Sequence, residues 1–553
     1  MKNKFIYLAV LAVGFTSCEP EFENDVDADY TSGEADFSSY VAIGNSLTAG
    51  YMDGTVYKSG QMNSFPNLLA QKFALVGGGA FTQPSYEDDV NNLGGFVLGG
   101  NPIVVGGVNQ FKTRLVIDAS EGRPENINGM STVEISDLQT TAYNNMGIPG
   151  AKSFHLGVPG YGNIAGVALG QANPYFVRHA TSASATVLGD AMTKNPTFFT
   201  NWIGANDVLS YATNGGAQAD GMTAAIDNNE TNNTNPTTYG GNDITHVGVF
   251  ASVYTGIINT LTSSGAKGVV ATIPSVTSIP YFTTVPYAPL TAQGLGKPLV
   301  PPGSDLATQI AAGTAVINQL NAQLYGPLDG IFTAYGEPNR LNLLSTTSVS
   351  PILIYDVDAT DRSNEITAAL TPTFGPALAA EIGQAFGKAR QTTANDLLVL
   401  PASSVIGTPN ANASGNLAGL NLNLNGVSYP IANRWVLTAN EKAKVASAIT
   451  GYNNAIVSIA ASKNLAVADM NAILGQLVTG LRVSSGQIYT ANYFSGSATE
   501  GGVLFSLDGV HPNARGYAVI TNEIIKVINQ HYGSRLPLYY VSSFNGINIV
   551  PVN

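Results

Sequence analysis

Two hydrophobic periodicities alternate along the chain. Short apolar runs ending in glycine or asparagine mark buried strands. The first covers 41–43 and closes on Gly44-Asn45. Others lie within 142–151, which holds Gly147 and Gly150, and over 195–204, 267–273 and 464–469. Between them apolar residues recur at helical spacing. Val247 is followed by Phe250, Ala251, Tyr254, Ile257, Ile258 and Leu261. The segment 64–75 reads as a helix with Pro66 in its first turn. Thr438-Ala-Asn-Glu441 is a capping box opening a helix to about residue 462. A closing helix over 514–531 carries Tyr517, Ile520, Ile524, Ile525 and Ile528. Buried strands alternating with amphipathic helices predict an α/β fold: a central parallel sheet covered on both faces, a three-layer α/β/α sandwich.

Two stretches break this rhythm and read as large insertions. Residues 77–140 are rich in Gly and Asn, with short β-like runs such as 111–117. Residues 274–437 are rich in Pro, Gly, Thr and Asn, with helical patches near 305–324 and 376–389 and a strand at 396–400. The second is expected to form a lid or subdomain over the site. The remaining framework, 37–540, is treated as one domain, with 541–553 as a C-terminal tail.

The start of the chain has a different character. A positive Met1-Lys-Asn-Lys4 precedes an apolar run over 5–15 and then Thr16-Ser17-Cys18. This reads as an export signal over 1–17. The sole cysteine stands at the expected cleavage point and resembles the lipidation site of a bacterial lipoprotein signal, although Phe15 occupies the position where Leu is preferred. An ordinary export signal with a chance cysteine is the alternative. Residues 18–36 form an acidic tether. Asp25, Asp27 and Asp29 alternate as in a calcium loop, but Tyr30 fills the glycine position and Asp36 replaces the closing glutamate, so no metal is expected. Lipidation of Cys18 would anchor the protein to a membrane, with the outer membrane, on its periplasmic face or at the cell surface, as the expected location.

Composition narrows the function classes. The 553-residue chain is 44% hydrophobic but only 11% charged, which suits an exported protein. A net charge of −13 without a Lys/Arg cluster argues against nucleic acid as a partner. A single cysteine excludes an internal disulfide and a thiolate zinc site.

Candidate chemistry collects at strand ends. Ser46 follows the first strand at a sharp turn into a helix, where its hydroxyl is exposed and its N–H faces developing negative charge. Taken alone, Gly-Asn-Ser is more often just a turn. Of five histidines, His155, His179, His246 and His531 have no acidic neighbour at useful spacing and read as packed or solvated. His511 follows Asp508 by three residues in a loop bounded by Gly and Pro. The carboxylate can orient one ring nitrogen and leave the other to take a serine proton, or the loop is merely a capped turn. Gly147 can offer an unobstructed backbone N–H, and Asn206 a side-chain N–H. With the N–H of Ser46 these would form a three-donor oxyanion hole.

Four short blocks in order carry a resemblance: Gly44-Asn45-Ser46-Leu47, Asn145-Met-Gly147-Ile-Pro-Gly150, Gly204-Ala-Asn206-Asp207 and Asp508-Gly-Val-His511-Pro512. Together the chain resembles the SGNH, or GDSL, hydrolase family, named for a Ser, a Gly, an Asn and a His in such blocks. Asn45 departs from the family's Asp, which changes local charge but not one of the four named positions. There is no Gly-x-Ser-x-Gly elbow, so an α/β-hydrolase lipase is disfavoured. The resemblance implies a flavodoxin-like α/β/α sandwich and a serine esterase or lipase-like acylhydrolase. In it Ser46 is the nucleophile, His511 the base and Asp508 its orienter; Ser46, Gly147 and Asn206 hold the oxyanion, and no cofactor takes part. The expected substrate is an ester of a lipid, an acylated small molecule or a glycan. A carbohydrate O-acetyl esterase is the alternative within enzymes, and a binding lipoprotein that lost the chemistry is the alternative outside them.

Overall fold

The computed structural model describes residues 29–550 apart from 106–107, 121, 484–485, 495–501 and 548. The export signal, Cys18, Asp25 and Asp27 lie outside the described residues.

Five parallel strands form the centre. Strand β1 (Tyr40–Gly44) is buried at every position. It lies between β2 (Asn145–Gly147) and β3 (Phe198–Trp202); β4 (Lys267–Ala271) and β5 (Ala466–Ala468) complete the order β2-β1-β3-β4-β5. Gly44 pairs with Gly147 on one side and Trp202 on the other. After β1 come the one-turn helix α1 (Ser46–Ala49) and α2 (Phe65–Ala74); after β3 come α3 (Asn206–Thr213) and α4 (Val247–Leu261). Helix α5 (Ala439–Ser462) precedes β5, and α6 (Met470–Gln476) and α7 (Ala514–Tyr532) follow it.

Strand alternation sorts the core into two layers. Tyr40, Ala42, Phe198, Trp202, Val269 and Ala271 point to one face, against Phe65, Leu69 and Phe73 of α2 and Ile520, Ile524 and Ile528 of α7. Val41, Ile43, Phe199 and Val270 point to the other, against Phe250, Tyr254 and Ile258 of α4 and Val445, Ile449 and Tyr452 of α5. Helices thus cover both faces, and each fully buried Ile or Phe contributes about 1.5–3 kcal/mol. The order 2-1-3-4-5 puts the topological switch point between β1 and β3. Open α/β sheets bind ligands there, beyond the carboxyl ends of the strands.

The insertions are more structured than their composition suggests. The 305–324 helix is Leu306–Leu320, which runs through a π-turn (Asn321–Tyr325) into Gly326–Ala334. The Asn321 side chain, bonded in both directions to the backbone of Leu344, holds that turn. The 376–389 patch belongs to a longer helical stretch, Ser363–Phe386, broken at Gly375, whose φ of 75° and ψ of 163° leave the helical region. Pro376 is the cause, since it disfavours helical backbone at the residue before it. The 396–400 strand shortens to Leu397–Leu398 and pairs with Val436–Leu437. The 77–140 region holds small pairs, among them Leu115–Asp118 with Pro124–Asn126, and Ile549 of the C-terminal segment pairs with Ile117 of the first. Apolar residues of 274–437, including Tyr325, Phe332, Ile354 and Phe386, continue the α4–α5 core without a break.

Candidate active site

Ser46 owes its position to two glycines and an asparagine. Asn45 caps the turn, its side-chain oxygen accepting from the Leu47 N–H at 3.2 Å. A Cβ on Gly44 would lie 2.1 Å from Thr48 Oγ1, and one on Gly147 would lie 2.3 Å from the Ala49 nitrogen. Only bare backbone lets the α1 turn sit this close to the β1–β2 edge. Ser46 is thereby set at the first position of α1, where its N–H has no partner within the helix.

His511 and Asp508 come from the pinched loop 505–512. Phe505 bridges Pro512, the Ser506 N–H donates to the His511 carbonyl at 2.8 Å, and the Gly509 N–H donates to the Ser506 carbonyl at 3.0 Å. Asp508 Oδ1 accepts from the backbone N–H groups of Val510 and His511, each at 2.8 Å. Its Oδ2 lies 3.0 Å from His511 Nδ1 and accepts from the Gly54 N–H at 3.1 Å. Burial opposes charge on Asp508, but the His511 ring and these N–H donors outweigh it and hold the carboxyl below its ordinary range. An ionised carboxylate can only accept, so the His511 proton sits on Nδ1 and Nε2 is free as an acceptor. That nitrogen is 2.8 Å from Ser46 Oγ. The Tyr51 ring lies against His511, centroids 4.5 Å apart, and fixes the imidazole from the side.

A second acid stands behind this arrangement, and no sequence signal beyond an Asp-Gly turn dipeptide marked it. Asp53 is buried, accepting from Tyr57 Oη at 2.8 Å and from the Leu507 N–H at 3.1 Å, while its own N–H donates to Ser506 Oγ at 3.0 Å. Burial, with Asp508 nearby, pushes its carboxyl up to about 6 against the N–H and hydroxyl bonds that favour charge. Residues 53 and 54 therefore clasp the 505–512 loop from the β1 side.

Of the three residues anticipated as N–H donors, Ser46 and Asn206 border the cleft beside His511 and Gly147 does not. Asn206, the first residue of α3, points its side-chain Nδ2 to the Ala151 carbonyl at 3.0 Å, which fixes the amide orientation and, among the described residues, leaves the second Nδ2 hydrogen uncommitted. Gly147 is a correction. Its N–H is not unobstructed: it donates to Asn145 Oδ1 at 3.0 Å, and Gly147 borders neither of the cavities at Ser46. The pairing of β1 with β2 buries it. Three residues on, Gly150 has left the strand with φ +80° and borders the cleft that holds Ser46, Asn206 and His511. Among the described residues the Gly150 N–H donates to no group. Asp207 is buried and turned away, accepting from the N–H and hydroxyl of Ser153, both at 2.8 Å. It ties the 148–153 turn to α3 and so sets Gly150 relative to Asn206. The other histidines lie elsewhere. Burial, then the charge of a neighbouring base, pushes His179 down to about 3 and His155 down to about 4.

Two cavities meet at Ser46, Leu209 and His511. One is a cleft of mixed polarity bordered by Tyr51, Phe111, Gly150, Pro174, Tyr175 and Asn206, with about 350 Å³ open to the centre of a water molecule. The other is a slot with about 70 Å³ of such space, walled almost wholly by apolar side chains.

No family model, curated protein or solved structure matches this chain.

Proposed function

We propose that this protein is a serine ester hydrolase of the SGNH type. The observation that carries the reading is the unbroken hydrogen-bonded chain from Asp508 Oδ2 through His511 to Ser46 Oγ, at 3.0 and 2.8 Å. A nucleophile, a base and an orienter in contact are what acyl transfer requires. Support also comes from three of the four blocks falling at the carboxyl ends of β1, β2 and β3 around the switch point, with the fourth, the 508–512 loop, brought against Ser46.

Ser46 Oγ attacks the ester carbonyl as His511 Nε2 takes its proton. The Ser46 N–H, the second Nδ2 hydrogen of Asn206 and the Gly150 N–H stabilise the oxyanion, with Gly150 in the role first expected of Gly147. His511 returns the proton to the leaving alcohol, and an acyl-serine remains. Water, deprotonated by His511, then attacks the acyl-serine. The acid departs and Ser46 recovers its proton. Asp508 holds the imidazolium through both steps. Export and lipidation at Cys18 would place this activity at the bacterial envelope.

The test is hydrolysis of p-nitrophenyl acetate and labelling by a fluorophosphonate, with Ser46→Ala and His511→Ala alongside. Active, labelled wild type and two inactive, folded variants are expected. A wild type that neither turns over esters nor takes the label would overturn the reading in favour of a binding protein.

A further inference from the structure

We infer that the apolar slot beside Ser46 is an acyl-chain pocket, and that the substrates are esters of straight-chain fatty acids of medium length. The inference rests on the hydrolase reading above and concerns which half of the ester occupies which cavity.

The two cavities differ in chemistry. The slot is walled by Leu209, Val276, Ile279, Leu474, Leu477 and Ile520. Trp202 also borders it, but its indole N–H is committed to the Thr272 carbonyl at 3.1 Å. Among the described residues the slot's polar side chains besides Trp202 are Asn45, Ser46 and His511, so a hydroxyl or a sugar ring deeper in it would go unsatisfied, which is costly. An alkyl chain carries no such penalty and gains from leaving water. The cleft is mixed. Its tyrosines and Phe111 offer aromatic faces, and the Asn206 amide a polar group, to an alcohol moiety.

The order of events points the same way. The alcohol must leave while the acyl group is still bonded to Ser46, and water must then reach the acyl carbon. The wider cleft, which also holds Asn206 and Gly150, is the exit and the water path. The narrow slot keeps the half that stays attached. Its smaller volume, about 70 Å³ against about 350 Å³ for the cleft, favours an unbranched chain over a ring.

The slot is assembled from distant parts of the chain. Leu209 comes from α3, Leu474 from α6 and Ile520 from α7. Val276 and Ile279 open the 274–437 insertion, and this segment is pinned in place: the Tyr281 N–H donates to the Gly509 carbonyl at 2.9 Å, and Tyr281 Oη to the Thr213 carbonyl at 3.2 Å. Leu474 is the wall most open to change, since it is only half-buried on a two-turn helix.

The experiment measures kcat/KM for p-nitrophenyl esters from acetyl to dodecanoyl in the full-length protein, in Leu474→Trp and in Leu474→Ala, with Ser46→Ala as control. Wild type is expected to gain about threefold for each methylene the slot buries, so that even two buried methylenes give octanoyl about a tenfold advantage over acetyl. Leu474→Trp, which fills the slot, should cut the octanoyl-to-acetyl ratio by about tenfold or more, and Leu474→Ala should move the optimum to longer chains. Thermal melts establish that both variants fold. Acetyl preference in wild type, or a ratio that neither substitution moves, would overturn the pocket while Ser46-dependent acetyl hydrolysis left the hydrolase reading standing. Acetyl preference would identify a deacetylase. Absence of all Ser46-dependent hydrolysis and labelling would remove both readings.

Discussion

His511 Nε2 stands 2.8 Å from Ser46 Oγ although 465 positions separate the two residues in the chain. Neither side chain could hold this contact on its own. Ser46 is fixed by the β1 turn, and His511 by a loop that Asp508 ties internally and residues 53 and 54 clasp from outside. Four consequences are open to measurement.

Asp508 accepts four hydrogen bonds and keeps the His511 proton on Nδ1. Asp508→Asn can present an N–H to that nitrogen and so favour the wrong tautomer. On the hydrolase reading kcat should fall by about 10³–10⁴ with little change in KM. Steady-state kinetics on a soluble ester check this, and a KM effect of similar size would point to a binding defect instead.

Asn206→Ala removes a side-chain donor at the cleft without touching Ser46 or His511. A loss of about 10²–10³ in kcat is expected. On the hydrolase reading fluorophosphonate labelling should slow as well, because the tetrahedral phosphorus adduct would use the same donors. Unchanged turnover would remove Asn206 from the site.

The two glycines of the second block should respond in different ways. Gly147→Ala forces a Cβ to within 2.3 Å of the Ala49 backbone and should cost several kcal/mol, about 3 or more, with poor folding as the result. Gly150→Ala meets nothing closer than Asn173 Nδ2 at 3.8 Å, so its cost is the φ of +80° alone, about 1–2 kcal/mol. It should fold and lose activity as the Gly150 N–H shifts. Melting temperature and kcat, measured on both, separate a packing glycine from a donor glycine.

Asp53 contributes a pH dependence to stability. Burial pushes its carboxyl up to about 6 in the folded chain, from an ordinary value of 3.8. The folded state thus binds the proton more tightly, so this group's contribution is fully present below about pH 4 and is lost as pH rises through 6. Above that, burying the charge costs on the order of 2–3 kcal/mol. Asp53→Asn removes the titration while keeping a polar partner for Tyr57. The melting temperature of the variant relative to wild type should rise between pH 5 and pH 8. Burial pushes Glu441 up to about 7 in the same direction, but it is present in both proteins and cancels in the difference. A difference that stays flat with pH would refute the assignment.

Much of the sheet could be read along the chain because its signals are local. Apolar runs ending in turn residues located all five parallel strands, and the 3.6-residue spacing of Phe250, Tyr254, Ile257, Ile258 and Leu261 located α4. The capping box at Thr438 is formed, with Glu441 accepting from the Thr438 N–H at 2.8 Å. The insertions were harder to read. Their helices contain Gly and Pro, and tertiary contacts such as Asn321 with Leu344 decide where they run on or break.

What the sequence determined by itself was side-chain chemistry and local conformation: which residues can attack, accept or donate, and which of them follow strands. Tertiary structure alone decided which of those groups remain free to act. Gly147 and Gly150 look alike on paper, yet sheet pairing buries the first and commits its N–H to Asn145, while the second emerges at the cleft. Asp53 became the clasp of the 505–512 loop, and six wall residues from separate segments became one slot, only when packing brought them together. The physical reason is that hydrogen-bond satisfaction and enclosure depend on atoms far away in the chain, and no local pattern carries that information.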